Sequence, residues 1–77
     1  MKAYRDLAQE FIDALRREIA ERQRLIKQTE KSGPIFERPS GGSWSDIRDR
    51  EIALFKQDIS SYQRTIAQLE EELRDNP

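Results

Sequence analysis

The stretch from Ile52 to Leu73 repeats in sevens, and that repeat limits the chain more than any other feature. Ile52, Ile59, Ile66 and Leu73 fall on one register, and Phe55, Tyr62 and Leu69 on the other. The steps alternate between three and four residues without a break. This is an a/d seam, with Ile at a and an aromatic residue or Leu at d. The flanking positions are mostly polar: Glu51, Lys56, Asp58, Gln63, Thr65, Glu70 and Glu72. A helix this polar, with so narrow an apolar stripe, gains little by folding alone. Another helix has to cover the stripe.

The cover is the first part of the chain. From Ala3 to about Lys31 there is no Gly or Pro, and Ala, Leu, Glu, Gln, Lys and Arg dominate, so the segment favours helix. Its seam reads Tyr4, Ala8, Phe11, Leu15, Ile19, Arg22, Ile26 and Thr29. Two consecutive steps of four meet at Leu15, a stutter that locally unwinds a supercoil. Leu7, Ile12 and Leu25 lie beside the seam and widen the apolar arc to about half the circumference. That is more than one partner helix needs. Ser32-Gly33-Pro34 stops the helix, with Gly33 suited to the left-handed position after the cap and Pro34 unable to continue it.

The connector covers about 33–43 and reads GPIFERPSGGS, an irregular segment by its Pro and Gly content. It is longer than the few residues that usually join antiparallel helices. The second helix is expected over about 45–74. Ser43 with Asp46 fits a capping box, and Ser45 as the N-cap is an equal competitor. Two helices of nearly equal length and one connector predict an all-α single domain over 1–77, a long antiparallel helical hairpin of the coiled-coil type. In that hairpin Phe11 is expected to face Ile66, and Ile19 to face Ile59. Charge agrees, since residues 1–32 carry two more basic than acidic side chains and residues 46–77 carry three more acidic than basic. The wide arc of helix one, with Ile47 and Leu54 beside the other seam, predicts a second cover. A homodimer closing into a four-helix bundle is the economical solution.

Composition removes several chemistries. There is no Cys and no His, so disulfides, thiolate chemistry, the commonest metal ligand and the commonest general base are missing. No cofactor, no metal site and no catalytic residue is expected. Fourteen basic and fifteen acidic residues nearly cancel, which argues against bulk attraction to nucleic acid or membrane. The N-terminus meets charges at once and lacks the apolar core of a signal peptide. The longest apolar run, Ile52-Ala53-Leu54-Phe55, is far too short to span a bilayer. A cytoplasmic location is the default expectation.

Four groups compete for a role. Ile35, Phe36 and Trp44 are large apolar residues in or beside the connector; they either cap the open end of the helix pair or form a hook for a partner protein. Arg17, Arg24 and Lys31 recur every seven residues on the outer face, with Arg16 and Lys27 nearby. They form either a solvated face or a basic stripe for phosphates or an acidic partner. Arg22 sits in the seam, either reaching water along its stem over Phe55 or setting register as a polar layer. Glu70-Glu71-Glu72 reads as a solvated helix end, because consecutive helical residues point apart. The function expected is a small non-enzymatic interaction module, a scaffold, adaptor or inhibitor-like protein acting through helix faces and connector. The alternative is a nucleic-acid-associated regulator using Arg17, Arg24, Lys27 and Lys31.

Overall fold

The computed structural model describes residues 3–38, 42 and 45–75. These form α1 (Tyr4–Lys31), β1 (Phe36–Glu37), β2 (Ser45–Asp46) and α2 (Arg48–Asp75). Each helix has 28 residues, about 42 Å at 1.5 Å per residue. They pack against each other as an antiparallel hairpin, and the molecule measures 56 × 24 × 21 Å. The fold is all-α apart from the two-residue strands. No helix among the described residues is long and apolar enough to cross a membrane.

The seam of α2 lies where the heptads put it. Ile66 is buried, and Ile52, Phe55, Ile59, Tyr62, Leu69 and Leu73 are all partly buried. The seam of α1 differs from the expected one. Ile12, read as a flanking residue, is the most buried side chain at 1% exposure, while Phe11 is 51% exposed. The core is Ile12, Leu15 and Ile66, with Ile19, Tyr62, Leu69 and Leu73 packed around it. With Ile12 in place of Phe11, the covered positions run Ala8, Ile12, Leu15, Ile19, Arg22, Ile26 and Thr29. These steps alternate four and three throughout. The stutter at Leu15 therefore does not arise, and Ile12 takes the place beside Ile66 expected for Phe11. Two unbroken heptad seams match each other along their length, which a stuttered seam opposite a regular one does not.

α1 ends as its sequence suggests. The Ser32 amide donates to the Gln28 carbonyl at 3.0 Å, and the Ser32 hydroxyl donates to the Thr29 carbonyl at 2.9 Å. Gly33 follows at φ 80°, a left-handed conformation that costs any side-chain-bearing residue about 1–2 kcal/mol.

The connector is not irregular throughout. β1 and β2 pair antiparallel, with Phe36 opposite Asp46 and Glu37 opposite Ser45. This pairing takes Ser45 and Asp46 out of the second helix, which starts at Arg48. Ser45 is therefore not the N-cap, and Ser43 lies outside the described residues. Asp46 performs the joining role instead. Its Oδ1 accepts the Arg48 amide at 3.0 Å and the Ile35 amide at 3.2 Å. The Ile47 amide donates to the Ile35 carbonyl at 2.7 Å. One carboxylate thus ties the ribbon to the first turn of α2.

These bonds hold the Asp46 pKa below the usual carboxylate range, the Arg48 amide contributing most. A lowered folded-state pKa stabilises above the unfolded pKa and stops stabilising as pH falls through the folded value. The melting temperature is therefore expected to drop on acidification below about pH 4. Asp46→Asn should show a shallower acid limb than the parent chain. Parallel acid limbs in a melting series would remove Asp46 from that role.

Candidate functional site

The two faces of the hairpin carry different chemistry. Tyr4, Leu7 and Phe11 are spaced three and four apart, so they form a single ridge on α1. The seam turns past that ridge, leaving all three more than half exposed. The Tyr4 hydroxyl reaches α2, where it donates to Glu72 Oε2 at 2.7 Å. That hydrogen bond, with the charge of the carboxylate, raises the phenol pKa. Leu7 and Phe11 each leave about half of their surface exposed. Sequence reading placed Phe11 inside, because a four-residue step to Leu15 is as good locally as the three-residue step from Ile12.

Further along the same side, Arg22 crosses between the helices. Its Nη1 donates to Glu18, its guanidinium lies 5.5 Å from the centroid of Tyr62, and its Nε is 3.6 Å from Asp58 Oδ2. The aromatic beneath it is thus Tyr62 rather than Phe55. The Asp58 distance is too long for a hydrogen bond, and the buried Nε has no hydrogen-bond partner among the described residues. Desolvation works against the guanidinium charge; Tyr62, Glu18 and Asp58 more than offset it and hold its pKa above the ordinary value. The two helices are also joined on the other side by Arg16 with Glu70 at 3.6 Å, in line with the opposite charge balance of the two halves.

The connector residues do not act together. Ile35, just before β1, is partly buried, whereas Phe36 is 58% exposed. Trp44 lies outside the described residues. Beside Phe36, the Glu37 carboxylate holds Arg50 at 2.5 Å, so Arg50 pairs across the joint and not with Asp46 four residues before it.

The basic residues of α1 divide. Arg24, Lys27 and Lys31, with Gln28 and Ser32, line a surface depression of about 570 Å³ at the connector end. Arg17 is exposed on the same helix but does not border it. Arg24 is held bidentately by Glu21, at 2.5 and 3.1 Å, which uses the fork that a phosphate would need. Arg17, Lys27 and Lys31 make no ion pair among the described residues. The two lysines also sit where the helix dipole is negative and favours cations for its own sake. No group of three or more acidic side chains among the described residues is placed to hold a metal ion.

Comparison of the chain with protein-family models, with curated proteins and with solved structures found no match in any of the three.

Proposed function

We propose that the chain is a small non-enzymatic interaction module, a scaffold, adaptor or inhibitor-like protein acting through its coiled-coil faces and the connector. The observation carrying this reading is the ridge of Tyr4, Leu7 and Phe11, three large side chains left open by a hairpin whose own seam is already closed. A contiguous apolar ridge costs solubility and marks surfaces that are covered by a partner. Phe36, exposed at the base of the ribbon, is a second contact point of the same kind. A photo-crosslinking side chain installed at Phe11 or Phe36 is expected to form protein adducts in the living host, while one at the exposed Gln9 is not. Equal yields at all three positions, or none at any, would dismiss the reading.

A second reading, a nucleic-acid-associated regulator, draws on the convergence of Arg24, Lys27 and Lys31 around one depression. It predicts retention on heparin that weakens steeply with salt, and weaker retention after Lys27→Ala with Lys31→Ala. Passage through heparin unretarded at low salt would remove it. The engagement of Arg24 by Glu21 places this reading second.

A further inference from the structure

The open ridge on α1 is one end of a longer surface. Tyr4, Phe11, Glu18 and Leu25 are spaced by sevens, so they share one side of α1. On α2, Leu54, Asp58, Ser61, Thr65, Gln68 and Glu72 step by three and four along one side as well. The Tyr4–Glu72 and Arg22–Asp58 contacts tie these two ladders to the same side of the hairpin. That side therefore has an apolar ridge at one end, Tyr4, Leu7 and Phe11 of α1 beside Gln68 and Glu72 of α2, and a polar middle at Glu18, Arg22, Asp58, Ser61 and Thr65. Its other apolar end, toward the connector, holds Leu54 and Leu25. Leu54 is half exposed and Leu25 partly so. Phe11 and Leu25 are about 21 Å apart along the axis, from the helical rise.

A surface that is apolar at both ends and polar between them matches itself when turned end for end. We infer that the occupant of this side is a second copy of the chain, lying antiparallel across it about a two-fold axis near Glu18. The rotation sets Phe11 of each copy level with Leu25 and Leu54 of the other, polar middle against polar middle, and closes four helices into a bundle. The net charge of −1 per chain gives little repulsion to overcome.

The exposed area points the same way. The chain exposes 6034 Å², whereas a compact monomer of 9.1 kDa exposes about 4,900 Å². The excess, about 1,100 Å², is enough to supply one partner's share of a standard interface, about 800 Å². The radius of gyration, 17.7 Å against about 11.5 Å for a compact domain of this length, records the elongation that leaves this side uncovered along its length.

This inference rests on the interaction-module reading and names its partner. The test is sedimentation equilibrium on the whole chain and three variants, with helicity followed by circular dichroism. The parent chain should be dimeric. Phe11→Glu alone and Leu54→Lys alone should keep their helicity and each weaken the dimer by about tenfold or more, as loss of a central apolar contact does. The variant carrying both substitutions should recover much of the lost affinity, because each introduced carboxylate meets an introduced ammonium on the other copy. Within one chain the two positions lie too far apart to touch, so the recovery has no intramolecular source. A monomeric parent chain, or single variants that dimerise like the parent, overturns the inference. Failure of the double variant to recover overturns the antiparallel arrangement and with it the inference. If the parent is monomeric while the crosslinker at Phe11 still captures a different protein in the host, the second copy is excluded and the module reading stands. If it captures nothing, both fall.

Discussion

Ile12→Ala is expected to lose about 2–5 kcal/mol of folding stability, while Phe11→Ala, one residue away, loses only a few tenths when measured in dilute solution. Ile12 is enclosed by Leu15 and Ile66, with a second ring of apolar neighbours. Its removal leaves a cavity that two rigid helices cannot close. A small domain has about 0.05–0.15 kcal/mol of stability per residue, so the substitution takes a large share of the total, and partial unfolding near room temperature is expected. Phe11 contributes little to the hairpin itself, because half of its surface already faces water. Urea unfolding of the two variants at low concentration decides the matter. If Phe11→Ala proves as costly as Ile12→Ala, the seam runs through Phe11 after all. The ridge assigned to interaction would then be part of the core.

Arg22→Leu should raise the melting temperature by several degrees. Arg22 occupies a seam position between Ile19 and Ile26, and its buried Nε has no hydrogen-bond partner among the described residues. Leucine removes that orphaned donor and lays apolar surface on Tyr62. The two carboxylates left behind, Glu18 and Asp58, keep about half of their side-chain surface in water. No buried charge is stranded, which is the usual penalty for breaking an ion pair. The size distribution of the variant carries separate information. A polar residue in a seam restricts register and oligomer state at some loss of stability, so a more stable variant spread over several sizes identifies Arg22 as a register device. A more stable variant of one size identifies a side chain that merely reaches the surface along its stem. A lower melting temperature would mean that the cation–π contact and the ion pairs outweigh the orphaned nitrogen.

The connector shows how local signals and long-range pairing compete. Ser43 with Asp46, and Ser45 with Asp46, are both sound helix-start signals. A cap signal is local and does not register what lies ten residues upstream. Once Phe36 and Glu37 pair with Asp46 and Ser45, the backbone of Ser45 is committed to a strand and the helix begins later. Asp46 keeps a capping role, with its carboxylate shared between the helix and the returning chain. The ion pairs follow the same logic. An acid four residues before a base favours an ion pair on a helix, and Glu18 with Arg22 forms one. Asp46 with Arg50 has the same spacing, yet Arg50 turns to Glu37 because the ribbon brings that carboxylate closer.

The sequence by itself determined the two helices, the break at Ser32-Gly33-Pro34, the hairpin and every position of the second seam. Each of these rests on local chemistry. Breakers act where they stand, and a heptad whose apolar residues are isolated by polar neighbours has one reading. The first seam was not determinable in that way, because Phe11 and Ile12 are adjacent and both keep a helical step to Leu15. Only the tertiary structure decided between them. The regular seam of α2 selects a regular partner, and Ile12 provides it without a stutter. The exposed ridge follows directly from that choice: turning Ile12 inward turns Phe11 outward, onto the side of the hairpin that also carries Leu54.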